Sequence, residues 1–265
     1  MVAITAQREA NKPGSAPHAP LRTVPVALPW IAAAVGIAGQ IAYPLANHDA
    51  QTDLTAVTVT AFFVAIATAV CRVSRGAVAI GLSCVFAWAV ELLGSRTGVP
   101  FGHYEYGAAL RPQLAGVPAI VPLAWTAMAV AALIVARRLV RSRIAVAVVG
   151  GVALAAWDVF LDPQMVAAGY WRWHGPQWTF EGIPASNFAG WLVVAVVLIA
   201  VLDRVLPPTG GSTTAAIAGT IYLWTYGSEL LAGFAFFHRP VVAAVGGLAM
   251  GACAIPYALL LWRTR

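Results

Sequence analysis

Asp158 and Asp162 stand four residues apart in an otherwise apolar run, so a helix through them sets both carboxyls on one face near its end. Paired carboxyls in apolar surroundings suit acid–base chemistry, one serving as a neutral acid while another stays ionised. The plainer alternative is that Asp162-Pro163 ends the helix among solvated headgroups. Glu91 closes a second apolar run with Trp88 on nearby helical surface, and Glu229 shares a face with Tyr222 and Tyr226 at spacing i, i+4, i+7. Ionisable groups inside long apolar runs are costly and mark functional positions. The structural alternative is an ion pair of Glu229 with Arg239 or Arg172.

Aromatic residues cluster beside these acids. Tyr104, Tyr106, Tyr170, Trp171, Trp173 and Trp178 crowd two loops, with Trp125, Trp157 and Trp191 in the adjoining apolar runs. Such rings anchor a chain at a membrane interface, or line a pocket and stabilise a passing cation through their faces. Asn187 could cap a helix or position a water. His48, His103, His174 and His238 lie one in each of four loops, without an HxxxH or HExxH cluster, so no metal site is expected. Walker, dinucleotide and serine-elbow motifs are absent, leaving nucleotide chemistry without support. Cys71, Cys84 and Cys253 lack CxxC spacing and read as packing residues.

The elements that must position these groups are transmembrane helices. The chain has 265 residues, 60% hydrophobic and only 10% charged, against about 25% charged in a soluble domain. Apolar stretches predict spans from Val24 to about Tyr43 and over 54–71, 76–94, 118–136, 144–163, 187–206, 213–236 and 240–262. The fold class is therefore an all-α, polytopic bundle of about eight spans over 23–265, preceded by a disordered cytoplasmic tail over 1–22. The short basic connections at Arg72 and Arg75 and at Arg137, Arg138, Arg141 and Arg143 belong on the cytoplasmic side. An even count of spans then places twelve of the sixteen Lys and Arg inside, with both termini cytoplasmic. The acids fall on the opposite side, apart from Glu9 and Asp203, so the site is expected near the extracytoplasmic face of the cell membrane. A net charge of +6 arises from arginines flanking apolar runs, not a basic stripe, and no nucleic-acid partner is expected.

Two long outer connections, 95–117 and 164–186, end in similar phrases. Gly116-Val117-Pro118 is followed by Trp125, and Gly182-Ile183-Pro184 by Trp191, with the same Pro-to-Trp spacing of seven. Glu91 lies 25 residues before Gly116, and Asp158 lies 24 before Gly182. The pattern suggests tandem repeated hairpins with Glu91 and Asp158 facing one cavity from related positions. Alternatively, each phrase only starts a helix with Pro in its first turn.

The segments Glu91-Leu92-Leu93-Gly94, Thr97 to Tyr106 (TGVPFGHYEY), Val121-Pro122-Leu123-Ala124-Trp125, Trp157-Asp158 with Asp162-Pro163, Trp171-Arg172-Trp173, Gly182-Ile183-Pro184 to Asn187-Phe188, and Gly190-Trp191 resemble the carotenoid 1,2-hydratase family. That family includes bacterioruberin-pathway hydratases and gamma-carotene 1'-hydratases. The resemblance spans roughly residues 85–235, and departs from the family pattern at Glu181, where an aromatic often precedes the glycine. It implies hydration of the terminal C1=C2 bond of an acyclic carotenoid end, such as that of lycopene, to a tertiary alcohol. No cofactor is implied. The expected partners are an apolar isoprenoid substrate arriving from the lipid and other carotenoid-pathway enzymes. Position and chemistry then suggest Asp158 or Asp162 as the acid, Glu91 as the water-orienting base and Glu229 as a supporting carboxylate. Trp88, Tyr104, Tyr106, Trp125, Trp157, Trp171, Trp173, Asn187, Trp191 and Tyr226 are the expected substrate-binding residues. The competing readings are a transporter or channel with buried carboxylates, and a metal-dependent membrane lipid hydrolase.

Overall fold

The computed structural model describes residues 25–175, 179–209 and 212–264, so the expected tail over 1–22 and Trp178 lie outside the described residues. Eight long helices follow one another: α1 (Ala27–Ala42), α2 (His48–Val70), α3 (Gly76–Thr97), α4 (Ile120–Leu139), α5 (Arg143–Ala167), α6 (Ala185–Val205), α7 (Thr213–Ala235) and α8 (Pro240–Arg263). Seven are apolar and long enough to cross a membrane by composition alone. The eighth, α7, is more polar, but its 23 residues extend about 34 Å at the helical rise of ~1.5 Å per residue. The chain is a multi-pass helical membrane protein.

Two expected boundaries shift for physical reasons. Helix α2 starts at His48, not near residue 54, because Asn47 caps it by accepting the Ala50 amide at 3.0 Å, a turn of polar residues that hydropathy alone leaves out. Helix α5 does not end at Asp162-Pro163 but runs through Pro163 to Ala167. The Arg239 guanidinium bonds the Pro163 carbonyl at 2.9 Å from the start of α8.

Helix α4 is the axis of the bundle, packing against α2, α3, α5, α6, α7 and α8. Its buried Ala127, Ala129, Ala131, Ala132 and Ala136 let neighbouring backbones come close, the usual means of packing helices where lipid offers no hydrophobic drive. At the end away from the long loops, Arg137 of α4 clamps the end of α6. It bonds Asp203 Oδ1 at 2.7 Å and the carbonyls of Asp203, Leu206 and Pro207 at 2.7–3.2 Å. Those carbonyls belong to the last turn of α6 and the residues just beyond it, so the half-buried cation satisfies groups that the helix cannot. The α2–α3 connection is so tight that a Cβ on Gly76 would sit 1.9 Å from the Val70 carbonyl oxygen, which only glycine avoids.

The long outer loops do fold back over the bundle, as three short antiparallel ribbons. β2 (Gln113–Leu114) pairs with β3 (Val117–Pro118), and β5 (Thr179–Phe180) with β6 (Ile183–Pro184). Both turns have positive φ at their two central residues: Ala115 and Gly116 in one, Glu181 and Gly182 in the other. That backbone is the two-residue hairpin turn matched to strand twist, which explains why each phrase carries glycine at the same place. β1 (His103–Tyr106) then pairs with β4 (Trp171–His174), one strand from each long loop. Helices α3–α4 and α5–α6 with their loops are thus two similarly built hairpins joined by a shared ribbon.

Candidate functional site

The two hairpins meet ring on ring. Trp125 and Trp191, equivalent in the repeated phrase, stack with centroids 3.9 Å apart and planes at 21°, and Phe101 stacks on the other side of Trp191 at 4.3 Å. Offset stacking of this kind adds roughly 0.5–1.5 kcal/mol per pair beyond simple burial. Residue alternation in the β1–β4 ribbon sends Tyr104, Tyr106, Trp171 and Trp173 to the inner face. His103, Glu105, Arg172 and His174 go to the exposed outer face, where His174 Nε2 approaches Glu105 Oε1 at 3.3 Å.

Beneath this lid lies a chamber of about 70 Å³, room for a few small groups or waters. Glu91, Asp158 and Asp162 all line it and are at most 4% exposed. Asn187 joins them from the first turn of α6, with Trp125, Trp157 and Trp191 as side walls and the four ribbon aromatics as roof. The depth is common: Glu91 is six residues from the end of α3, Asp162 five from the end of α5, and Asn187 two from the start of α6.

Each acid has a distinct set of partners. Glu91 Oε2 accepts the hydroxyls of both Tyr104, at 2.5 Å, and Tyr106, at 2.6 Å. Burial first, and then the charge of Glu91, hold both phenols well above the usual tyrosine range, so they remain protonated donors. Asp162 Oδ2 accepts Asn187 Nδ2 at 2.6 Å; Asn187 is therefore not a cap, the N-cap of α6 being Pro184. Asp158, one turn deeper on the same helix face, accepts no such donor at Oδ2.

Three expected site residues lie elsewhere. Trp88 donates its indole N–H to the Leu114 carbonyl at 3.3 Å, tying α3 to the β2–β3 hairpin. Tyr226 lines a shallow outer groove between α7 and α8, its hydroxyl against Gly251. Glu229 lies at the same end of the bundle, six residues before the end of α7, but faces an adjoining chamber of about 120 Å³. There it bonds Gln164, while Arg239 approaches Glu181 at 3.6 Å, so the ion pair of Glu229 with Arg239 does not form. The two chambers share Thr55, Val59, Ala124, Trp157, Leu161 and Met165 in their walls. Sequence reasoning passed over Gln164 and also Gln40, whose Oε1 accepts Trp224 Nε1 at 2.6 Å. A lone glutamine inside an apolar run was the available signal for Gln40, whereas Gln164 fell in the expected outer connection and gave none.

Among the described residues, no group of three His, Cys, Asp or Glu side chains is arranged to hold a metal ion. The helices carrying the acids run unbroken through the depth of the chamber, unlike the discontinuous helices of many transporters.

Bisanhydrobacterioruberin hydratase of Haloarcula japonica is 34% identical over 134 residues, a match covering 49% of this chain and 45% of that protein. The chain thus spans less than half the length of the curated relative it matches. No solved structure matches. The family model described as "Carotenoid biosynthesis protein" matches residues 50–254, taking in α2 to α7 and most of α8 and every group that lines the chamber, and the chain belongs to that family.

Proposed function

We propose that this chain is a carotenoid hydratase, a hydro-lyase acting in the direction of addition on the terminal C1=C2 bond of an acyclic carotenoid end. The observation that carries the reading is the convergence of Glu91, Asp158 and Asp162 on one chamber under an aromatic roof. Adding water to a trisubstituted alkene needs a neutral acid, a base and a wall that tolerates a cation.

Asp158 is the acid: its O–H bond breaks as the alkene π pair takes the proton at C2, leaving a tertiary cation at C1. Trp157 and Trp171 in the chamber wall offer ring electron density to that cation, an interaction that strengthens as water is excluded. Water then forms the C1–O bond and loses a proton to Glu91, whose carboxylate is oriented by Tyr104 and Tyr106. Return of that proton to Asp158 resets the site, and the net change is one water added. Asp162, tethered to Asn187, balances the charge beside the acid. The apolar adjoining chamber accommodates the polyene that trails the reacting end, and Glu229 supports its wall through Gln164.

The substrate reaches the chamber from the lipid, since a carotenoid is apolar and about as long as the ~30 Å bilayer core. The site then lies toward the extracytoplasmic face of the cell membrane. Co-expression with lycopene or gamma-carotene producers tests the proposal: pigments should gain the mass of one water per reacted end. An unchanged pigment profile despite confirmed membrane expression would overturn it.

A further inference from the structure

Three buried side-chain atoms around the chamber have no hydrogen-bond partner among the described residues: Asp158 Oδ2, Trp171 Nε1 and Asn187 Oδ1. The fourth such atom among the described residues, Ser83 Oγ, belongs to a residue that does not line the chamber. An unmade hydrogen bond at a buried polar atom is costly, so three around one cavity call for an occupant. Their chemistry says which kind. Trp171 can only donate and Asn187 Oδ1 can only accept, because the amide orientation is set by Nδ2 donating to Asp162. A molecule that accepts one bond and donates others fits, and a buried water makes about three such bonds. An alkene end cannot satisfy either atom.

From this geometry we infer that Trp171 and Asn187 form the binding site of the attacking water, beside the acid Asp158. The inference rests on the hydration reading and deepens it by naming the residues that hold the second substrate. Trp171 Nε1–H donates to the water oxygen, Asn187 Oδ1 accepts one of its protons, and the second proton is left for Glu91. One lone pair remains free to attack C1. The ribbon register that sets Trp171 on the inner face thereby fixes the water relative to the acid on α5.

A partition experiment separates holding the water from making the cation. With the full chain in lycopene-containing membranes in D2O, the cation either captures water to give alcohol or loses a proton from C2. Loss of the original hydrogen returns alkene labelled at C2. Trp171→Phe keeps an aromatic face but removes the donor, and should raise the ratio of deuterated lycopene to alcohol at least tenfold. Trp171→His, which restores a ring N–H, should bring the ratio back toward that of the unaltered protein. A ratio unchanged in Trp171→Phe overturns the inference, whether both products fall together or neither does. If the unaltered protein forms neither alcohol nor labelled lycopene, the hydration reading itself fails, and the water site fails with it.

Discussion

At the scale of single residues, the three chamber acids are told apart by what they accept. Asp158 has an oxygen free of protein donors, Asp162 is tied to an amide, and Glu91 is gripped by two phenols. Only a group without a donor pointed at it is ready to give a proton away, so Asp158→Asn should cut hydration by a factor on the order of 10³ or more, within the usual range for general acid catalysis. Purification yield and helical content should stay unchanged, and mass analysis of pigments supplies the rate; retained activity would remove Asp158 from the acid's role. Tyr104→Phe and Tyr106→Phe test the base. A hydrogen bond to a charged group contributes roughly 1.5–3 kcal/mol, yet two donors on one oxygen partly compensate for each other. Each single variant should therefore lose about tenfold in rate, and the double variant more than the product of the two losses. Strictly multiplicative losses, measured as initial rates of alcohol formation, would mean the phenols act separately.

At the scale of elements, the repeated phrase was the most informative part of the sequence. Glycine before Pro at equal offsets from Trp125 and Trp191 foretold two alike turns, and the turns share their positive-φ backbone. The near-equal offsets of Glu91 and Asp158, 25 and 24 residues, suggested that these acids could face one cavity, and both line the chamber. The pairing of β1 with β4 was not legible, because strands more than sixty residues apart leave no local signal of partnership. Their alternation was: aromatics at 104 and 106 and at 171 and 173 follow the period of two that puts them on one face. Trp88 and Tyr226 were expected at the site from helical spacing, and Glu229 from the cost of an ionisable group inside a span; neither signal says which chamber or groove a side chain faces. The loop–helix contact is testable. A Cβ on Gly190 would lie 2.8 Å from Pro100 Cγ and 3.0 Å from Phe101. Gly190→Val should lift that loop off α6, disturb the Phe101–Trp191 stack, and both lower hydration at least tenfold and speed proteolysis within residues 98–117. Unaltered cleavage kinetics would show that the loop is held by other contacts.

At the scale of the whole molecule, the open question in the sequence is whether α7 crosses, since it is the one helix too polar to qualify by hydropathy. A carboxyl at the bilayer centre costs about 2.5–3.5 kcal/mol on insertion scales, and Glu229 avoids most of that by lying near the helix end and bonding Gln164. Three other polar groups of α7 are matched internally. Thr214 bonds the Ala69 carbonyl at 2.8 Å, Tyr222 the Ala153 carbonyl at 3.1 Å, and Trp224 the Gln40 amide oxygen. Its polarity is thus turned inward, as in bundles where hydrogen bonds join neighbouring helices, and the lipid sees Leu231 and Phe234. If α7 crosses, eight spans return the end of α8 to the side of the basic Arg137–Arg143 connection; if it does not, the two lie on opposite sides. Single cysteines at Arg141, Glu105 and Thr264, in a background with Cys71, Cys84 and Cys253 replaced by alanine, distinguish these cases. In intact cells a membrane-impermeant maleimide should label Glu105→Cys alone, with Arg141→Cys and Thr264→Cys reacting only after lysis. Labelling of Thr264→Cys together with Glu105→Cys would take α7 out of the membrane, and with it the wall that carries Glu229.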